Sequence, residues 1–155
     1  MPAHDLALAL RSAYLAMHRA TDASLARHGI TADQFVVLAE LSRGTALMQR
    51  ELVARASSDP NTVRAMLVLL ERRGLVERRP HPTDGRARSV AITRKGRVVF
   101  KSLWQTSRPV RTRLVRRIDR SELATLTQQL RALASDMQAS KPRLRTSSKA
   151  ASHHG

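Results

Sequence analysis

The sequence contains no cysteine. That excludes disulfides, thiolate metal centres and thiol redox sensing. Aromatic residues make up only 3% of the chain: two Phe, one Tyr and one Trp. With so few rings, a core must rest on Leu, Val, Ile, Ala and Met, which suits packed helices better than a β-sandwich. No run approaches the ~18 uncharged apolar residues that a membrane span needs. Residues 1–28 lack the apolar core behind a basic start that marks a secretory signal, so a cytoplasmic setting is expected. Acidic residues are scarce: 12 Asp and Glu stand against 28 Lys and Arg, a net charge of +16. A globular chain this basic repels itself unless a polyanion is near, which points to DNA, RNA or an anionic membrane.

What is present, over 155 residues, is a series of amphipathic helices interrupted once by period-2 patterning. Leu6, Leu10, Ala13, Tyr14, Met17, Thr21 and Leu25 recur at spacings of three and four, which predicts one helix over 5–28. His28-Gly29 supplies its stop. Thr31-Ala32-Asp33-Gln34 is a capping-box pattern opening a second helix, with Phe35, Leu38 and Leu41 on one face. A short third helix is expected over 48–56, with Leu52 and Val53 inward. After Ser57-Ser58, Asp59 is placed to cap a fourth helix and Pro60 to sit at its first position, where a missing amide proton costs nothing. Val63, Met66, Leu67 and Leu70 then recur at core spacing up to Arg72-Arg73-Gly74. Leu75–Arg79 and Ser89–Ile92 read as two strands around a turn-rich loop. Thr93 caps a helix from about 94 to 118, and Pro109 predicts a break near 105–109. A last helix from about 121 carries Leu123, Leu126, Leu130, Leu133 and Met137. Residues 140–155 carry Lys141, Arg143, Arg145 and Lys149 with almost no apolar content, the composition of a disordered basic tail.

Helix, short helix, four-residue turn, helix and hairpin, in that order, describe a winged helix-turn-helix. The expected fold is mainly α with a small β-hairpin wing: 31–100 as the DNA-binding domain, with 5–28 and 101–138 as helical dimerisation segments. In this motif the amino end of the second motif helix enters the major groove, where base edges are distinguishable. Here that end carries Pro60, Asn61, Thr62 and Arg64. Asparagine pairs with adenine, arginine with guanine, and threonine reaches a thymine methyl or a phosphate. The bland alternative is an exposed first turn with no role. The hairpin tip, His81-Pro82-Thr83-Asp84-Gly85-Arg86-Ala87-Arg88, puts Arg86 and Arg88 at and beside a tight turn. Long cations on a thin hairpin suit a narrow minor groove. Asp84 is counted with this DNA-binding set as the residue that orients the arginines or caps the turn, without touching DNA itself.

These segments carry a resemblance. Asp59-Pro60-Asn61-Thr62-Val63-Arg64, Leu70-Glu71-Arg72-Arg73-Gly74-Leu75-Val76, Asp84-Gly85-Arg86-Ala87 and Ile92-Thr93-Arg94-Lys95-Gly96 resemble, in order, the recognition helix, helix stop, wing and post-wing segment of the MarR family. The resemblance implies a homodimer built from the first and last helices. It also implies binding to palindromic operators in double-stranded DNA, mostly as a repressor, and in many members release by small, often phenolic ligands. Tyr14 and His18, four apart on the first helix, are the candidates for lining such an aromatic-ligand site; interface packing is the competing role. Two departures stand out. The family often has an acidic residue and an arginine where this chain has Val68 and Leu69, and without cysteine its peroxide-sensing members are no model.

Other classes find less support. Ser57 and Ser58 lie in the helix-turn-helix turn instead of a nucleophile elbow, and no phosphate-binding glycine loop occurs, so no enzyme is expected. His4, His18, His28, His81, His153 and His154 show no metal-ligand spacing outside the terminal pair, and neither metal nor cofactor is expected. Nonspecific nucleic-acid or nucleoid binding is the rival, favoured by the +16 charge. Against a single-strand RNA binder stands the lack of a stacking platform, since Phe35 and Phe100 are expected in the core.

Overall fold

The computed structural model describes residues 1–80, 83 and 88–139. It falls into two units, Met1–Leu114 and Val115 onward. In the first unit α1 (Pro2–Leu25) runs into a short 3-10 turn, Ala26–His28, which stops at Gly29 with φ 63°. Glycine meets that left-handed conformation without a Cβ penalty. The elements that follow are α2 (Ala32–Ser42), β1 (Leu47–Met48), α3 (Gln49–Arg55), α4 (Pro60–Arg72), β2 (Val76–Pro80), β3 (Arg88–Ile92), α5 (Arg94–Thr106) and α6 (Arg108–Val115).

The helix starts obey the chemistry expected of them. Thr31 Oγ accepts from Gln34 N at 3.1 Å, and Gln34 Oε1 accepts from Thr31 N at 3.1 Å, a complete capping box. Asp59 and Thr93 cap α4 and α5 with the N-cap bond alone, accepting from Thr62 N and Gly96 N. The break expected near 105–109 lies at Ser107, between α5 and α6.

The sheet has three antiparallel strands in the order β1-β3-β2, one more than the hairpin expected from the sequence. The added strand is the two-residue β1, with Leu47 opposite Val90 and Met48 opposite Ser89. β2 and β3 pair from Val76 opposite Ile92 to Pro80 opposite Arg88.

One apolar core joins these elements. Leu25, Leu38, Leu41, Leu52, Leu67, Leu70, Val90 and Leu103 are all fully buried in it. Burying a leucine fully contributes roughly 1.5–3 kcal/mol, so this cluster is the main support of the fold. The expected placement of Phe35 and Phe100 in that core is corrected: both are half-buried and pack on its edge, stacked at 5.6 Å between ring centroids. Val37 takes the inward position on α2 instead.

The second unit contains α7 (Arg120–Ala139), in which no residue is buried. Leu126, Leu130, Leu133 and Met137 are all exposed along it.

Candidate nucleic-acid interface

The turn between α3 and α4 is built by two helix ends meeting. α3 closes with Ser57 N donating to Ala54 O and Ser58 N to Val53 O, both at 3.2 Å, around Ser57 at φ 50°. This is the double hydrogen bond of a Schellman ending, here with serine in the left-handed position that usually takes glycine. Asp59 begins α4 immediately afterwards. Its Oδ1 accepts from Thr62 N at 2.9 Å, and its other oxygen accepts from the Thr62 hydroxyl. Those bonds, the hydroxyl first, hold the Asp59 carboxyl below its ordinary pKa. A charged carboxylate at a helix start also meets the positive end of the helix dipole.

On α4, Val63, Met66, Leu67 and Leu70 are buried, so the remaining face turns outward. Asn61, Thr62 and Arg64 are exposed in its first two turns, with Pro60 opening the helix. Asn61 and Arg64 are three apart and share a face. Ala65, four from Asn61, lies on the same exposed face. Sequence reading passed it over, although the helical period pointed to it; its methyl is of the kind that packs on a thymine methyl. Thr62 differs from expectation in one respect: its hydroxyl donates its proton to Asp59, which leaves it no proton to give a phosphate.

The carboxyl end of α4 is pinned on three sides. Gly74, at φ 70°, and Leu75 return hydrogen bonds to Glu71 O and Leu70 O at 2.8 and 3.0 Å. The Arg73 guanidinium donates to Gly29 O at 2.7 Å and His28 O at 3.0 Å. Thr93 Oγ donates to Gly74 O at 2.6 Å, and Lys95 Nζ to Arg73 O at 2.8 Å. Cations and hydroxyls at a helix carboxyl end satisfy carbonyls that have no partner inside the helix. α4 is thus fixed to the turn that follows α1 at one side and to the start of α5 at the other.

Arg88, at the start of β3, is exposed. Asp84 and Arg86, assigned to the wing tip, lie outside the described residues, as does the tail 140–155.

A second feature of the same unit is a cavity of about 340 Å³ between α1, α2 and α6. Tyr14, Met17, Val36, Val110 and Leu114 give it apolar walls, and His18 and Asp33 are among its polar members, with Thr21, Ser107 and Arg111. His18 lies 3.3 Å from Asp22 through Nδ1 and 3.3 Å from Asp33 through Nε2. Asp22 in turn accepts from Ala32 N at 2.6 Å, which ties α1 to the start of α2. The two ligand-site candidates, Tyr14 and His18, therefore line one cavity, with ring centroids 5.5 Å apart. Arg111 borders it too, but its guanidinium is already engaged: it lies 3.5 Å over the Trp104 ring and donates to Ser107 Oγ and Trp104 O. Among the described residues, no group of three or more His, Asp or Glu is placed to hold a metal ion.

Residues 28–87 match the model of the MarR family. The HTH-type transcriptional repressor Rv2887 of Mycobacterium tuberculosis is 30% identical over 114 residues, covering 74% of this chain and 82% of that protein. The chain belongs to the MarR family. That makes it a member of a family of DNA-binding transcriptional regulators, not of enzymes. Among solved structures, a MarR mutant from E. coli complexed with operator DNA is similar at a TM-score of 0.73 and 27% identity, over 83% of this chain and 93% of that one. A MarR-family regulator from a Rhodococcus species shares the fold at a TM-score of 0.76 and 21% identity, over 86% and 95% of the two chains.

Proposed function

We propose that this MarR-family protein is an operator-binding repressor that works as a homodimer. The observation that carries the reading is the first two turns of α4: Asn61, Arg64 and Ala65 are exposed on a helix whose other face and both ends are fixed. Rigid support of this kind lets a few side chains discriminate base edges. The relatives named as repressors and the operator complex of the E. coli protein favour the same role. Pro60, Asn61, Thr62 and Arg64 face the major groove in this reading, and Asp84, Arg86 and Arg88 belong to a wing in the flanking minor groove. The segments 5–28 and 101–138 supply the dimer contacts, in keeping with a family that acts as dimers. The basic residues of 140–155 add affinity without sequence choice. No helix among the described residues is long and apolar enough to cross a membrane, and the cytoplasm is the setting proposed.

A small molecule is proposed to regulate DNA binding from the cavity at Tyr14 and His18. Its apolar walls and few polar groups suit an aromatic ligand of modest size. A thermal-shift screen of aromatic acids should find at least one that stabilises the protein and weakens operator binding. No shift across the screen counts against this part alone.

The +16 charge favours a second reading, nonspecific nucleic-acid binding. Footprinting on genomic DNA beside random DNA, at moderate salt, separates the two. A bounded, symmetric footprint supports the operator reading. Uniform protection of both DNAs supports the other.

A further inference from the structure

Another cavity in the first unit, of about 630 Å³, lies between the carboxyl-terminal half of α2 and α5. It shares no lining residue with the cavity at Tyr14 and His18. Its lining is strongly basic. Arg43, Arg97 and Lys101 stand against a single carboxylate, Glu40, so three cations and one anion leave a net charge of +2. Glu40 is the neighbour of Arg43, at 3.7 Å. Arg97 meets neutral acceptors, the Ser42 and Gly44 carbonyls, both at 3.4 Å. Those long bonds tether its guanidinium to the end of α2 and leave it further N–H groups to donate. Lys101 is exposed four residues along the same face of α5, with no hydrogen bond or ion pair among the described residues. Cations gathered in one cavity repel each other, and an anion seated among them relieves the repulsion. Beside them lies an aromatic wall. Phe100 and Trp104 line the same cavity, with ring centroids 6.0 Å apart, and Trp104 is 44% exposed. In a chain with two Phe, one Tyr and one Trp, half of the aromatic residues thus border these cations.

We propose that this cavity binds a phosphate monoester carrying a planar ring, of the size of a nucleoside monophosphate: the phosphate pairs with Arg97 and Lys101, and the ring lies against Phe100 and Trp104. A phosphate monoester carries a charge of about −1.5 to −2 at neutral pH, which matches the lining. A guanidinium and an ammonium are the side chains that phosphate oxygens accept from most strongly. A nucleobase has a face to lay on an aromatic side chain whatever its sequence identity. The volume lies within the range of small-molecule sites. The site is independent of the operator reading and of the ligand proposed for the apolar cavity.

Trp104 is the only tryptophan in the chain, so its fluorescence reports occupancy of this cavity. The full-length protein is titrated with AMP, and separately with adenosine and with inorganic phosphate. AMP should change the emission saturably at sub-millimolar concentration, and bind about tenfold tighter than either of its halves. Lys101→Glu reverses a charge that has no structural partner. It should melt as the wild type does and bind AMP at least about tenfold more weakly. Arg19→Glu makes the same change of charge on α1, at an exposed cation outside the cavity, and should bind AMP as tightly as the wild type. No emission change with AMP up to millimolar concentration overturns the proposal. Inorganic phosphate binding as tightly as AMP overturns it too, since the ring would then contribute nothing. Equal weakening in Lys101→Glu and Arg19→Glu would mean general attraction to a basic chain, and would also overturn it.

Discussion

At the scale of single residues, two kinds of position do different work. Asn61 and Arg64 are exposed, and among the described residues no side-chain hydrogen bond or ion pair holds either. Gly96 is the opposite case. It is buried in the first turn of α5, and a Cβ there would collide with the Leu75 carbonyl oxygen and stand 2.7 Å from Ile92 Cγ1. Neither backbone nor a packed isoleucine yields easily, and overpacking of this kind costs about 1–3 kcal/mol. Gly96→Ala should therefore lower the urea midpoint by a corresponding amount. An unchanged midpoint would show that the post-wing turn is not held as closely as its geometry says. The Thr-x-x-Gly segment was legible in the sequence as a family mark, and the approach to Leu75 is its physical reason. The Arg78–Glu71 contact and the stacking of Arg111 on Trp104 were not legible. Both join residues whose meeting depends on how strands and helices pack, which side-chain period alone does not encode.

Among the elements, the helices were easier to read than the sheet. Capping residues are local, so Thr31, Asp59 and Thr93 announced α2, α4 and α5 from sequence. β1 escaped because two residues show no periodicity; Leu47 and Met48 become a strand only by pairing with Val90 and Ser89. The Asp59 cap has a testable pH signature. Its carboxyl titrates below the ordinary value, mainly through the Thr62 hydroxyl. A group whose folded pKa is depressed adds stability above its unfolded value, near ~3.9 for aspartate, and that stability is lost as pH falls through the folded value. Asp59→Ala removes the cap and should lower the melting temperature at neutral pH. Asp59→Asn keeps a capping oxygen. It should lie between the two near neutrality and show less loss of stability on acidification below pH ~4. Thermal melts of the three proteins between neutral pH and the aspartate range make the comparison. Parallel curves for the wild type and Asp59→Asn would remove Asp59 from the acid response.

For the whole molecule, the exposed apolar stripe of α7 is the clearest sign of an absent partner. Leu126, Leu130, Leu133 and Met137 recur at spacings of four, three and four, and among the described residues none of the helix is buried. A helix with one apolar face is stable in water when that face is covered. Light scattering should give about twice 17.2 kDa for the wild type and near 17.2 kDa for Leu130→Glu, with operator affinity falling in step. A wild type found only at 17.2 kDa would end the dimer proposal. Dimerisation also bears on recognition, since a two-fold arrangement presents two α4 helices to half-sites roughly one helical turn, about 34 Å, apart. The central claim is that α4 reads bases, and a binding-site selection on the wild type and Arg64→Ala at one salt concentration tests it most directly. The account predicts a palindromic site for the wild type, and for Arg64→Ala a loss of about 1–3 kcal/mol with relaxed choice at one base pair per half-site. No enriched site, or an Arg64→Ala loss that is equal for every sequence, would contradict it.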